Sequence, residues 1–178
     1  GPDVMHLVDL EVPTPGAGQE LINVSAIGIN YADTHQTENS YLFPQKLPLI
    51  PGVEVVGTTP TGVRVLAIVE AGGYAQQVTT HSAMMIPVLD GVTDEQALCM
   101  LVQGSTAWHI LKTFGHVKPG ETVVVHAAAG GVGTIAIQLA KMWGAKVIAV
   151  ASSESKRALA TSLGADAVVD STLENLGE

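Results

Sequence analysis

Thr122-Val-Val-Val-His126 runs directly into Ala127-Ala-Ala-Gly-Gly-Val-Gly133, a β-branched run followed by a glycine-rich turn and a new apolar segment. That succession has the chemistry of a phosphate cradle. A glycine at 130 lets a diphosphate approach the backbone. Gly133 lets the next helix pack closely on its strand, and the helix start offers unpaired N–H groups and the positive end of a dipole. Ala129, Gly130, Gly131, Val132 and Gly133 are therefore candidate ligands of a dinucleotide. The three-glycine fingerprint would put glycine where Ala128 stands, and alanine fits there if the turn keeps a negative φ.

A second constellation follows the next apolar run, Lys146 to Ala151: Ser152-Ser153-Glu154-Ser155-Lys156-Arg157. A strand end that binds the ribose hydroxyls of NAD carries an acid, whereas a 2′-phosphate wants donors and positive charge. Ser152, Ser153, Lys156 and Arg157 thus resemble the phosphate pocket of an NADPH user, with lysine as a point charge and arginine as a fork. Serine caps and a solvated Lys-Arg pair at a helix start give the same pattern.

The elements needed to position these residues are legible. Lys118-Pro-Gly120 is a turn before a strand at Thr122 to His126, and Ile135, Leu139 and Met142 share one face of a helix over Thr134 to Trp143. The Lys146 to Ala151 strand, a helix over Glu154 to Leu163 ended by Gly164, and a strand over Asp166 to Asp170 complete βαβαβ. This is one mononucleotide-binding half of a doubly wound parallel sheet.

The first half of the chain differs. Short β-like runs at Met5 to Val12, Glu20 to Gly28, Glu54 to Thr58, Arg64 to Val69 and Tyr74 to Thr79 are split by glycine and proline, which suggests an all-β, barrel-like module. Helices are expected over Glu95 to Val102 and Thr106 to Thr113, with a domain boundary near Leu98. This gives one domain at 1–98 and a second at 99–178.

An apolar fraction of 47% against 14% charged residues describes a globular chain with ample core. A formal charge of −9 and few aromatic residues argue against a nucleic-acid surface. The longest apolar stretch, Ala127 to Leu139, is broken by glycine and too short to span a bilayer, so no membrane partner is expected. Cys99 is the only cysteine, which excludes an internal disulfide and fits a reducing, cytoplasmic setting. It is expected to be buried. The histidines other than His35 show no ligand spacing.

Several short segments in order carry a family likeness: Gly28-Ile-Asn30-Tyr-Ala-Asp33, Ser40-Tyr41, Pro51-Gly-Val-Glu-Val-Val-Gly57, Gly72-Gly-Tyr-Ala75, Gly104-Ser-Thr-Ala107 and Ala127 to Gly133. The chain resembles the medium-chain dehydrogenase/reductase superfamily, in its zinc-free quinone oxidoreductase branch. The resemblance implies an α/β protein with a GroES-like β-barrel catalytic domain and a Rossmann domain for a nicotinamide cofactor. Of the latter only the first βαβαβ half is present. Relatives continue through a second half that shapes the nicotinamide pocket and forms the dimer edge, so a longer polypeptide and a homodimer through that part are expected.

The resemblance also supplies roles. Where zinc-using relatives have their first cysteine this chain has Asn30, and where they have histidine before the glutamate it has Val53 before Glu54. Asp33 and His35, two residues apart with no third ligand in sight, read as loop residues, so no metal is expected and elemental analysis should find no stoichiometric zinc. Without a Lewis acid the substrate must itself accept hydride, as a quinone or an activated alkene does. The developing oxygen anion then needs a donor. Tyr41 matches the tyrosine that related enoyl reductases place near the substrate oxygen; a tyrosine packed at a barrel rim has the same position. Asn30 resembles the asparagine that contacts nicotinamide ribose or substrate, and a turn asparagine is the alternative. Thr106 looks like a threonine that meets the cofactor near nicotinamide, or else it is a helix N-cap. Reduction of an enoyl thioester in a lipid or polyketide pathway, and a non-catalytic NADPH-binding module, are the rival functions.

Overall fold

A computed structural model describes residues 2–41 and 46–172. The chain divides into two compact units between Leu101 and Val102.

The first unit is built on a five-stranded antiparallel sheet, β1 (Gln19–Ile27), β2 (Glu54–Thr58), β3 (Arg64–Ile68), β4 (Gln77–His81) and β5 (Met85–Pro87), in the order β4-β1-β2-β3-β5. Ile22, Val55, Val65, Ala67, Val69 and Val78 fill one face. Val56 and Leu66 pack on the other against Ala97 and Leu98 of α2 (Asp94–Cys99). This alternation is what a pleated strand between two apolar layers requires. The curled sheet is a GroES-like half-barrel. Helix α2 begins in a capping box, with Gln96 N–H donating to Thr93 Oγ1 at 3.2 Å and Thr93 N–H to Gln96 Oε1 at 3.0 Å. Arg64 Nε donates to Asp94 Oδ1 at 2.8 Å and Ser25 Oγ donates to Asp94 Oδ2 at 2.6 Å, tying that helix start to the sheet. The Ser25 bond first, then Arg64, holds the Asp94 carboxyl below its ordinary range.

The second unit carries a parallel sheet of β6 (Thr122–Val125), β7 (Lys146–Ala151) and β8 (Ala167–Asp170) in the order β6-β7-β8. α4 (Gly131–Met142) and α5 (Glu154–Ser162) are the crossovers. Ile137, Ala140, Val147, Ala149 and Ala160 are fully buried between helices and sheet, the Rossmann half expected from the sequence. Among the described residues no helix is long and apolar enough to cross a membrane.

Four expectations need correction. Met5 to Val12 is not a strand: past a short helical turn the chain is irregular and Leu7 is fully exposed, because hydropathy alone makes no strand without a partner to pair with. The fourth strand lies at Gln77–His81 rather than Tyr74 to Thr79, since the Gly73 and Tyr74 N–H groups turn back to Gly52 and Pro51 carbonyls. The two helices expected before β6 are one uninterrupted helical run from Asp94 to Phe114, in which α3 (Ser105–Trp108) lies between π-type turns at Met100–Gly104 and His109–Phe114. Cys99 is exposed, because Ala97 and Leu98 take the inward face of α2.

Candidate functional site

In the first unit the segment after Asn30 is a helix, α1 (Tyr31–Thr37), not a loop. Asn30 is its N-cap, in extended conformation, and its backbone N–H donates to Asp33 Oδ2 at 2.8 Å. That carboxylate serves as the first-turn acceptor an N-terminus needs, and Tyr74 Oη donates to the same oxygen at 2.8 Å. Burial first, then the Asp33 bond and charge, push the Tyr74 phenol above its ordinary value, so it stays a donor. Asn30 Nδ2 donates to Glu54 Oε1 at 2.8 Å. Glu54, whose partner the sequence did not disclose, is thereby identified as part of a buried group with Asn30 and Asp33. Asp33 Oδ1 and Gln36 Oε1 are buried without a donor.

Tyr41 lies four residues past the end of α1 and is exposed. His35 and Asp33 are engaged separately: Asp33 serves Asn30 and Tyr74, while His35 Nδ1 is 3.1 Å from Ser40 Oγ and its ring meets the Tyr31 edge.

In the second unit the glycine turn follows β6. Gly130 N–H donates to the Ala127 carbonyl at 2.8 Å, and Ala128 N–H ties the turn to Val150 of β7 at 3.1 Å. Ala128 is fully buried without a positive φ, so alanine is tolerated where the fingerprint has glycine; the left-handed residue is Ala127, at φ 48°. Gly130 is the N-cap of α4 and supplies no side chain to accept from the amides of Gly131, Val132 and Gly133. A helix start leaves those donors without intrahelical partners. At Gly133 a Cβ would sit 2.5 Å from the Ala127 carbonyl oxygen and 2.8 Å from Ala128 Cα. At Gly131 it would meet the amide of Gln103, a residue the sequence reading passed over. Ala129 is the half-buried residue that leads into Gly130.

Thr106 is not a helix cap. It sits inside the helical run, and its Oγ1 donates back to the Val102 carbonyl at 2.6 Å. At the end of β7, Ser153 caps α5 by accepting from Lys156 N–H at 3.3 Å, while Ser152 and the Lys156 side chain are exposed. Arg157 is not a free fork: its Nη1 lies 2.8 Å from Asp170 Oδ2 and donates to the Ala151 carbonyl at 3.0 Å. Parallel register sets Asp170 opposite Ala151, a pairing that strand alignment alone would have signalled.

Residues 131–178 match the family model described as zinc-binding dehydrogenase, and residues 16–61 that described as alcohol dehydrogenase GroES-like domain. The probable quinone oxidoreductase of Schizosaccharomyces pombe is 34% identical over 174 residues, covering 92% of this chain and 52% of that protein. The chain belongs to the medium-chain dehydrogenase/reductase superfamily. Within that superfamily, the crystal structure of Escherichia coli quinone oxidoreductase complexed with NADPH superposes with a TM-score of 0.94 at 30% identity, covering 99% of this chain and 57% of that one. One phenolphthiocerol/phthiocerol polyketide synthase polypeptide of Mycobacterium tuberculosis is 32% identical over 178 residues, which is 95% of this chain and 8% of that protein. The chain thus spans about half the length of the curated quinone oxidoreductases it matches.

The description of the family model that matches residues 131–178 names zinc, and the donor set of the described residues does not fit that metal. A catalytic zinc takes three protein ligands of N, O or S type. Among the described residues no group of three or more His, Cys, Asp or Glu could hold a metal ion.

Proposed function

We propose that the protein is a zinc-independent, NADPH-dependent reductase of quinones and other α,β-unsaturated carbonyl compounds. The observation that carries this reading is the row of amides at Gly131, Val132 and Gly133 behind a glycine N-cap, which fits a diphosphate. Bound there, NADPH would supply hydride. The chain's own residues do the rest: the α4 amides hold the diphosphate, and Ser152 and Lys156 meet the 2′-phosphate with a hydroxyl and a point charge. The Tyr41 phenol donates to the oxygen that gains charge on the substrate. A quinone or conjugated carbonyl needs no Lewis acid, in keeping with a donor set among the described residues that does not fit zinc. The same reading implies a cytoplasmic homodimer.

Fluorescence titration of the full-length protein is expected to show tighter binding of NADPH than NADH, and NADPH oxidation with a simple quinone. Equal affinity for the two coenzymes would defeat the assignment at Ser152 and Lys156. The polyketide synthase relative favours one alternative, reduction of an enoyl thioester, and turnover of crotonyl thioester without quinone would establish it. Binding without turnover of either would leave a cofactor-binding module.

Tyr41→Phe removes one hydroxyl from an exposed ring, so its folding cost is small. Loss of a general-acid contact is expected to lower kcat by about 10²-fold. Unchanged kcat/KM would take Tyr41 out of the mechanism.

A further inference from the structure

We infer that Asp170 is a positioning residue that sets the coenzyme preference: by holding the Arg157 guanidinium at the end of β7, it withholds that cation from the 2′-phosphate of NADPH. The inference rests on the function proposed above and deepens it, since Ser152 and Lys156 are left there to meet the phosphate without Arg157. All the groups concerned belong to the second unit.

Asp170 ends β8 and pairs in parallel register with Ala151, the last residue of β7. Both therefore stand at the carboxyl edge of the strands, where an open α/β sheet takes its nucleotide. Arg157 lies in the first turn of α5, just beyond Ser152 and Ser153. Its Nη1 donates to the Ala151 carbonyl at 3.0 Å and lies 2.8 Å from Asp170 Oδ2. With Nη1 engaged twice, the end-on fork of Nη1 and Nη2 is closed to a phosphate. The cation is also offset by a carboxylate in contact with it. Glu154, Lys156, Arg157 and Asp170 then give this edge two cations and two anions, with no excess charge to favour a phosphate.

The carboxylate is fixed from its other side. Asp170 Oδ1 accepts from the Thr172 N–H at 2.9 Å and from the Thr172 hydroxyl at 2.7 Å. The Thr172 backbone bond first, then its hydroxyl and the Arg157 charge, hold the Asp170 carboxyl below its ordinary range, so the pair stays ionised at neutral pH. The Arg157 and Asp170 side chains are 21% and 29% exposed, which limits screening by salt.

Asp170→Asn releases Arg157 with little change of shape. The two Thr172 donors keep the amide oxygen, so the new NH2 takes the place of Oδ2 and opposes Nη1, donor against donor. In the full-length protein, fluorescence titration is expected to show NADPH bound about tenfold more tightly by Asp170→Asn and NADH affinity within about twofold of native, the scale of one hydrogen bond to a charged group. Structural damage would lower both affinities, so a gain confined to NADPH is a readout that a merely structural ion pair does not produce. In an Arg157→Gln background the same substitution should shift NADPH affinity by no more than about twofold, because a residue that acts through another has nothing left to act on.

An equal gain in both backgrounds overturns the proposal, since Asp170 would then act on the phosphate by its own charge. No gain in either background overturns it too, as does a fall in NADH affinity, which would make the carboxylate a ligand of the ribose hydroxyls. Failure of the native protein to bind either coenzyme would sink the functional reading and this inference together. NADPH binding that is indifferent to Asp170 would sink the inference alone.

Discussion

Gly133→Ala is expected to abolish measurable NADPH binding and to cost the chain about 3 kcal/mol of stability, the upper range for forcing a methyl group into a closed space. The added Cβ would meet three backbone atoms, the Ala127 carbonyl oxygen at 2.5 Å and Ala128 Cα and carbonyl carbon at 2.8 and 2.9 Å. No rotamer change relieves a collision with backbone. Relief requires α4 to lift from the turn after β6, and that movement separates the amides of Gly131 to Gly133 from the position a diphosphate would take. Gly131→Ala, two residues earlier, is the control. The atoms nearest its Cβ would be the amide end of Gln103, a flexible side chain that can swing away. Urea unfolding and coenzyme titration on both variants should show large losses for Gly133→Ala and small ones for Gly131→Ala. Equal behaviour would mean that α4 does not rest on the turn as described.

Gly57→Ala is the second large effect expected, and it falls on the half-barrel. Gly57 lies in β2 opposite Val24, where the register of β1 shifts between Val24 and Ala26. Such a bulge bends one strand toward its partner. A Cβ at 57 would lie 2.2 Å from the Asn23 carbonyl oxygen and 2.6 Å from Ile22 Cγ2, in a buried position. The expected cost is again about 3 kcal/mol, from overpacking and a broken β1–β2 ladder. Gly62→Ala offers the contrast. Nothing lies within 4 Å of its Cβ position, but its φ of +83° penalises an L side chain, so about 1 kcal/mol is expected. A milder effect at 57 than at 62 in urea unfolding would contradict the bulge geometry.

These two glycines also show where sequence reasoning stops. Gly133 was legible because three features coincide in the linear chain: a β-branched run, a turn and an amphipathic helix. The close packing of that helix follows from local geometry. Gly57 carried no such signal, since what makes it necessary is Asn23, which lies far away in sequence and meets it only through strand pairing. The same division separates the members of the candidate site. Ser153 was readable as a cap from its place before Glu154. Arg157, readable as a phosphate fork, is occupied by Asp170, which reaches it through parallel strand register. Thr106 looked like a cap because a helix was expected to start there. In the structure Gly104 holds helical angles, φ −67° and ψ −47°, and the helical run passes through it.

The amino-acid sequence by itself determined the class of the protein: a β-rich first half, a βαβαβ second half and the glycine-rich turn that joins the first strand of that half to its helix. All of these are encoded within stretches of a few to some twenty residues, where periodicity and turn chemistry act locally. Only the tertiary structure decided which polar groups serve one another. It joined Asn30 to Glu54, Asp33 to Tyr74 and Arg157 to Asp170, and it left Tyr41 exposed and the amides of Gly131 to Gly133 without a side-chain cap. The reason is physical. A buried donor or acceptor must find its partner wherever the packed chain brings one, and that meeting is set by strand order and register, not by distance along the sequence.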